Sequence, residues 1–163
     1  MKRILAVLLA VMLLVAVIPA TSLAESASNG CSTYKVYRVS TNGGNLMLRS
    51  GPGTSYRVLA SLCNGRPLKY LYSDGNWYKV RTFSGMTGWV SKHYVRCGAY
   101  ANVNTRTSGL NYRTGPGTGY AIKGSFAKGT RNLYVTKVCG NWAYVSKSGR
   151  HGWSSLTYLK WNY

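Results

Sequence analysis

LMLRSGPGTSY, residues Leu46 to Tyr56, returns sixty-four positions later as LNYRTGPGTGY, residues Leu110 to Tyr120. Seven of the eleven positions are identical. Self-similarity at an almost constant spacing indicates one small structural unit that is used twice. Two further segments recur in the same order, at spacings of 65 and 64: GNWYKV from Gly75 with GNWAYV from Gly140, and GWVS from Gly88 with GWSS from Gly152.

The segments between turn signals are short and rich in β-branched and aromatic residues. From Trp77 to Arg81 the side chains alternate, which places Tyr78 and Val80 on the opposite face from Lys79, as a strand requires. Gly51-Pro52-Gly53 favours a type II turn directly after the first quoted strand. The chain carries 19 glycines, which interrupt any long helical stripe. We therefore predict an all-β fold, with about five short strands in each unit of about 60 residues closing into a small barrel.

An interior for each barrel can be chosen from the apolar positions of these strands. Buried aromatic and branched side chains supply most of the apolar area that a small domain can bury. We expect the following residues to fill the two interiors: Leu46, Leu59, Val80, Trp89, Leu110, Ile122, Val145 and Trp153.

The N-terminus reads as an export signal. Lys2 and Arg3 precede fifteen apolar residues from Ile4 to Ile18, and a small-residue site ends at Ala24. This pattern is typical of a secretory signal peptide over residues 1–24, with an uncleaved signal anchor as the alternative. No later segment approaches the ~20 apolar residues of a membrane span, so we expect a secreted chain without a transmembrane segment.

Four cysteines can stabilise the two small units. Export favours disulfides over metal ligands or reactive thiols, and no Cys-x-x-Cys spacing suggests zinc. Bonds within each half, Cys31 to Cys63 and Cys97 to Cys139, are the simplest arrangement. The rival pairing joins Cys31 to Cys97 and Cys63 to Cys139, and the sequence leaves this choice open.

The charge balance is strongly basic. The chain has 21 basic and 2 acidic residues, and loss of Lys2 and Arg3 with the signal leaves a net charge of +17. Such a field concentrates polyanions at the protein surface. Because we expect the chain to be exported, we expect anionic envelope polymers or peptidoglycan carboxylates as partners, and nucleic acid is disfavoured.

The sequence offers little for hydrolytic chemistry. The two acids, Glu25 and Asp74, have no reason to meet as the paired carboxylates of a glycosidase. His93 and His151 occupy different repeat positions, so no cysteine–histidine or serine–histidine site recurs in both copies. From these residues we expect no catalytic site, no metal and no cofactor, and hence not an enzyme.

Taken together, the repeated motifs resemble the bacterial SH3 (SH3b) domain, present twice. Met47 departs from that pattern, where such domains commonly carry Asn, as Asn111 does in the second copy. The resemblance implies two consecutive SH3-like β-barrels after the signal peptide. The expected organisation is an N-terminal arm over 25–34, domain 1 over 35–96, a linker over 97–102 and domain 2 over 103–160.

Aromatic and basic residues of the repeated motifs are the candidates for a ligand-binding groove. Exposed rings on such small domains can also simply cover the edges of the core, so both roles stay open. The candidate residues are Arg49, Tyr56, Trp77 and Tyr94, with their repeat counterparts Arg113, Tyr120, Trp142 and Tyr158.

The resemblance implies a targeting module for the bacterial cell wall, because such domains often accompany wall hydrolases. We expect a secreted, non-catalytic protein that binds peptidoglycan or an associated anionic polymer. Two alternatives are a cationic effector that acts on membranes or competing cells, and an adaptor for a separate wall hydrolase.

Overall fold

The computed structural model describes residues 31–163 of the chain. The predicted signal peptide over 1–24 and most of the predicted arm lie outside the described residues. The described part is almost entirely β, with fourteen strands and two single 310 turns, Lys92–Tyr94 and Leu156–Tyr158. The predicted all-β class is confirmed.

The first half contains seven strands. They are β1 (Thr33–Val39), β2 (Leu46–Arg49), β3 (Val58–Leu62), β4 (Pro67–Asp74), β5 (Trp77–Thr82), β6 (Thr87–Ser91) and β7 (Val95–Cys97). The second half contains seven more. They are β8 (Ala99–Val103), β9 (Leu110–Arg113), β10 (Ile122–Phe126), β11 (Leu133–Cys139), β12 (Trp142–Lys147), β13 (Arg150–Ser155) and β14 (Leu159–Trp161).

The two halves repeat the same antiparallel pairings. In the first half β2 pairs β3 and β6, β5 pairs β4 and β6, and β1 pairs β4 and β7. In the second half β9 pairs β10 and β13, β12 pairs β11 and β13, and β8 pairs β11 and β14. The bulge also recurs, between Tyr70 and Tyr72 in β4 and between Val135 and Lys137 in β11. A bulge bends its strand and increases the local twist, so both halves curve at the same place.

Each half has its own hydrophobic cluster. The first is built around Val39, Leu48, Leu68, Val80 and Val90. The second is built mainly from second-half residues. Burial follows the period-two pattern of the strands, since each strand turns one face inward.

The predicted interior residues fall mostly where expected, with one clear error. Six of them, namely Leu46, Val80, Trp89, Leu110, Val145 and Trp153, are buried. Leu59 is half-buried and packs against the first cluster. Ile122 was predicted to be buried and is wrong, because its side chain is 54% exposed. It begins the edge strand β10, and the pairing register shifts directly after it.

Strand β1 serves both halves. Its first residues, Thr33 to Lys35, pair with β11 of the second half. From Val36 onward it pairs with β4 and β7 of the first half. Val36 itself belongs to the second hydrophobic cluster, although it lies in the first half of the sequence. The N-terminal strand therefore ties the two halves into one continuous sheet path.

The disulfide follows from this shared strand. Cys31, just before β1, bonds to Cys139 at the end of β11, with 5.6 Å between their Cα atoms. Both pairings considered from the sequence are therefore wrong, because neither joins the leading cysteine of the first half to the internal cysteine of the second half. Cys63 and Cys97 are free thiols within the described residues.

The connection between the halves is very short. Only Gly98, with a φ of +70°, lies between β7 and β8, so the residues predicted as a linker, 97–102, are mostly strand. A Cβ at Gly98 would stand 2.2 Å from the ring of Tyr134, which explains why glycine is needed at this close approach. The domain boundaries drawn from the sequence remain a prediction. In residues 31–163, no helix has the length and apolar character needed to cross a bilayer.

Candidate functional site

The Gly-Pro-Gly loop of the first half is held by an arginine and a tyrosine. Arg49 Nη1 donates hydrogen bonds to the carbonyl oxygens of Thr54, at 2.7 Å, and of Tyr56, at 2.9 Å. The ring of Tyr56 lies directly on Gly51, where an added Cβ would come within 2.3 Å of Tyr56 Cδ1. Proline sets the turn, glycine allows the ring to approach, and the guanidinium fixes the far side of the loop.

The second half builds the same loop. Arg113 Nη1 donates to the carbonyl oxygens of Thr118, at 2.9 Å, and of Tyr120, at 2.8 Å. A Cβ on Gly115 would again stand 2.3 Å from the tyrosine ring. The repeated motif is thus explained by a packing arrangement within the loop.

Each loop forms one wall of a surface groove. The first groove has a volume of about 330 Å³. We call it groove 1, and it is lined by Thr41, Asn45, Leu46, Met47, Arg49, Thr54, Trp77, Ser91 and Tyr94.

The groove of the second half is larger, at about 950 Å³. We call it groove 2, and all nine lining positions of groove 1 have their repeat counterparts in it. These are Thr105, Gly109, Leu110, Asn111, Arg113, Thr118, Trp142, Ser155 and Tyr158. Groove 2 has six further lining residues, namely Asn104, Arg106, Thr107, Ser108, Asn141 and Thr157.

Small 310 turns place the tyrosines of both grooves. Ser91 Oγ accepts a hydrogen bond from the backbone N–H of His93, at 3.4 Å, and this caps the turn that carries Tyr94. Ser155 Oγ accepts from Thr157 N–H at 3.3 Å and caps the turn that carries Tyr158. The tyrosine rings are 46% and 49% exposed, so each groove has an accessible aromatic edge.

The structure brings together most of the residues chosen from the sequence. Arg49, Trp77 and Tyr94 line groove 1. Their counterparts Arg113, Trp142 and Tyr158 line groove 2. Tyr56 and Tyr120 lie outside both linings and pack on the loop glycines instead. That the grooves bind a ligand remains a prediction.

Sequence reasoning missed the loops that form the opposite walls, before β2 and before β9. Thr41 and Thr105 occupy equivalent positions in these loops and line the two grooves. Each threonine hydroxyl donates to a backbone carbonyl three residues later, that of Gly44 or Ser108. The sixty-four-residue spacing already linked Thr41 with Thr105 and could have identified these walls.

Part of the positive charge is stacked on aromatic rings away from the grooves. In the first half, Lys79 Nζ lies 4.9 Å from the ring centroid of Trp89, and Tyr72 packs edge-on against the same ring. Such contacts are worth roughly 0.5–1 kcal/mol at exposed sites. In the second half the lysine is Lys137, on β11, and its Nζ lies over the rings of Tyr144 and Trp153. Tyr144 packs edge-on against Trp153, as Tyr72 does against Trp89.

The titratable groups with perturbed pKa values lie outside the grooves. Burial, followed by the neighbouring Tyr78, raises the pKa of Tyr37 to about 12. Burial also raises the pKa of Tyr134, whose hydroxyl donates to the carbonyl of Cys97 at 2.8 Å. Both phenols are neutral at physiological pH and act as packing groups.

The two histidines are exposed and are held by separate contacts. The ring of His93 packs edge-on against Tyr94, and His151 Nδ1 lies 3.2 Å from the carbonyl oxygen of Gly149. Among residues 31–163, no three His, Cys, Asp or Glu side chains cluster as metal ligands.

Comparison with known proteins finds a relative that is named as an amidase. This chain is 31% identical over 121 residues to the Bacillus subtilis (strain 168) protein named "Putative N-acetylmuramoyl-L-alanine amidase YrvJ". The match covers 69% of this chain, and the chain spans 23% of the length of that relative.

Two solved structures from Trichomonas vaginalis, NlpC2 and NlpC1, each align with a TM-score of 0.48. Their sequence identities to this chain are 16% and 17%. The alignments cover 79% and 84% of this chain, and 48% and 49% of those structures.

The amidase relative corrects two predictions made from the sequence. A non-catalytic binding protein, and a protein that is not an enzyme, were expected, and both expectations are wrong, since the relative is named an amidase. The shortage of carboxylates argued against a paired-carboxylate glycosidase, and the unmatched histidines argued against a site built in both copies. Neither argument concerned the activity of the proteins in which similar repeats occur.

The family comparison also assigns the first half. Residues 44–96 match the family model described as "Bacterial SH3 domain". This range runs from the wall of groove 1 to β7 and includes the Gly-Pro-Gly loop. Residues 44–96 of this chain therefore form a bacterial SH3 domain.

Proposed function

We propose that this chain acts in peptidoglycan hydrolysis of the amidase type, with its two grooves binding the wall substrate. The observation that carries this proposal is the 31% identity over 121 residues with the amidase-named relative. That length exceeds one 64-residue repeat, so the relationship extends beyond a single module. The bond concerned joins N-acetylmuramic acid to L-alanine, as the name of the relative states.

The grooves have the chemistry to hold a wall strand. Trp77 with Tyr94, and Trp142 with Tyr158, offer flat apolar faces beside hydroxyl and amide groups. Aromatic rings that carry a polar edge suit ligands that are partly apolar and partly hydrated, such as sugars and short peptides. Binding sites typically combine this kind of apolar surface with a few polar groups that fix orientation.

The net charge supports the same partner. With 21 basic and 2 acidic residues, the chain attracts anionic polymers and the carboxylates of wall peptides. We further propose an extracellular, wall-associated location after removal of residues 1–24.

The second half supports the proposal by offering a second binding site. We propose that residues 103–160 form a second unit of the bacterial SH3 kind, since their strand pairings repeat those of the first half. Tethering two weak sites can raise overall affinity by roughly 10² to 10⁴. Because β1 pairs with strands of both halves, the two grooves are held in a defined relative orientation.

The test uses the chain without residues 1–24, oxidised, and purified sacculi. Amidase cleavage should free amino groups on L-alanine without creating reducing sugar ends, so both products are measured. A variant carrying Trp77→Leu and Trp142→Leu should lose most sacculus binding and most release of L-alanine amino groups. Lys128→Ala, at an exposed position outside both groove linings, is the matched control and should behave as wild type.

Circular dichroism of each variant confirms that it folds. If the wild-type chain releases no L-alanine amino groups, the hydrolytic proposal is refuted. If release occurs but the tryptophan variant retains full activity and binding, the grooves do not hold the substrate.

A further inference from the structure

The two grooves share a frame but differ in their free polar groups. In groove 1 the principal polar side chains have partners within the protein. Asn45 Nδ2 donates to Ser61 Oγ at 2.9 Å, and Arg49 donates to the two loop carbonyls. The remaining surface is dominated by Met47, Trp77 and Tyr94, which makes groove 1 mainly apolar.

Groove 2 has polar side chains without such partners. Arg106 lines it at the position where the first half has Asn42, and among the described residues its guanidinium makes no hydrogen bond or ion pair. Asn111 replaces the apolar Met47, and the side-chain amides of Asn104 and Asn111 likewise have no hydrogen bond within the described part. Three polar side chains with unused hydrogen-bonding capacity therefore converge on one groove.

Within residues 31–163, no acidic side chain lines groove 2 to compensate this charge. Asp74 is the one acidic residue in the described range, and it lies at the end of β4 in the first half. Groove 2 contains two arginines, of which Arg113 binds loop carbonyls and Arg106 is free. A free guanidinium beside unpaired amides attracts an anion that also carries amide groups.

We propose that groove 2 binds a peptide carboxylate through Arg106, while groove 1 takes an uncharged part of the ligand. Asparagine side chains both donate and accept, so Asn104 and Asn111 match the N–H and C=O groups of a peptide. A phosphate polymer offers mainly acceptors and would leave the asparagine carbonyl oxygens unmatched. This inference rests on the proposed function, in which wall peptides are part of the substrate.

The test uses a probe with a single charge. Nα,Nε-diacetyl-Lys-D-Ala-D-Ala carries only its C-terminal carboxylate, and its C-terminal amide is the neutral analogue. Both are titrated into the oxidised chain, and binding is followed by the backbone NMR signals of residues 104–111. The acid should bind groove 2 about tenfold more tightly than the amide, because a hydrogen bond between two charged groups is roughly twice as strong as one to a neutral group.

The repeat supplies matched variants. Arg106→Asn installs the residue of the first half and should abolish the preference for the acid over the amide. Lys128→Asn removes the same charge at an exposed site elsewhere. Asn42→Arg adds a charge at the equivalent position of the first half. Both should leave the acid-to-amide ratio at groove 2 within about twofold of wild type, because neither residue lines groove 2 and solvent screens exposed charges that do not contact the ligand.

Equal binding of the acid and the amide at residues 104–111 would overturn the inference. Loss of the preference in Lys128→Asn as large as in Arg106→Asn would also overturn it, since the effect would then be one of net charge. Inorganic phosphate is titrated as a third probe, and binding tighter than that of the acid would show a phosphate site instead.

The sacculus assay separates this inference from the proposed function. If peptide acid binds groove 2 but the wild-type chain releases no L-alanine amino groups, the hydrolytic proposal fails and the carboxylate site stands. If sacculi are cleaved but the preference for the peptide acid is absent, the carboxylate site fails and the hydrolytic proposal stands.

Discussion

The contact between Gly51 and Tyr56 allows a quantitative test of the loop that borders groove 1. In Gly51→Ala, the new methyl group would stand 2.3–2.5 Å from three atoms of the Tyr56 ring. No real Cβ contact is that short, so either the ring or the backbone must move. Tyr56 is 48% exposed, which lets the ring swing into solvent.

The cost of that movement can be estimated from burial. A fully buried aromatic side chain removes about 150–250 Å² from water, so the buried half of Tyr56 is about 100 Å². At about 25 cal/mol per Å² the upper limit is about 2.5 kcal/mol. Because much of that surface remains covered after the ring turns, we expect Gly51→Ala to lower the free energy of unfolding by about 1–2 kcal/mol, within the range typical of overpacking.

A double-mutant cycle isolates the contact. In a Tyr56→Ala background the ring is gone, so adding Gly51→Ala should cost less than about 0.5 kcal/mol. The measurement is guanidinium unfolding of the oxidised protein, followed by tryptophan fluorescence and far-ultraviolet circular dichroism. Gly119→Ala is the control, because nothing lies within 4 Å of its added Cβ, and it should change stability by less than about 0.5 kcal/mol.

The second half repeats the experiment independently. Gly115→Ala should show the same coupling with Tyr120, whose ring is half-buried, so the single substitution should cost at least as much. An equal cost of Gly51→Ala with and without the Tyr56 ring would refute the reasoning, because the destabilisation would then come from the backbone alone.

Three further predictions concern the described residues. Replacing Cys31 and Cys139 together by Ser should lower the free energy of unfolding by about 2–5 kcal/mol, because the bond joins residues 108 apart and restricts the unfolded chain; denaturant titration that finds unchanged stability would contradict this. The pKa of Tyr37 is raised to about 12 in the folded protein, so folding favours the neutral phenol. Its contribution to the free energy of unfolding is fully present below pH 10 and is lost as the pH rises from about 10 to 12. Tyr37→Phe should therefore flatten the fall of the melting temperature over that window, and an unchanged profile counts against a partly buried phenol. Arg49→Met should weaken the loop by about 1–3 kcal/mol through loss of two hydrogen bonds to carbonyls, whereas Arg81→Met, which loses one side-chain hydrogen bond to Thr87, should cost less in the same titration.

Local features of the sequence were enough to predict the strands and most of the groove residues. Alternation from Trp77 to Arg81 and the turn residues around Gly51 act over a few positions, so they can be recognised without knowing the fold. Repetition then gave each residue a counterpart. For this reason Trp77 and Trp142 were assigned as counterparts, and the structure places each in the lining of one groove.

The error at Ile122 had a tertiary cause. Its sequence context resembles that of an inward-facing strand residue, but β10 is the edge of the sheet path and its register shifts next to Ile122. Whether an apolar side chain at such a position is covered depends on which strands lie beside it, and those neighbours come from distant parts of the sequence.

By itself, the sequence determined a duplicated all-β chain with a basic surface, because periodicity, turn chemistry and charge are properties of residues and their near neighbours. Only the tertiary structure decided that β1 pairs with both halves and that Cys31 therefore bonds to Cys139. A disulfide requires Cα atoms within about 7 Å, and that proximity is created by strand pairing between residues 108 apart. The tertiary structure also decided which sequence differences between the halves matter for the grooves, since only the folded chain shows that Arg106 and Asn111 line the same groove.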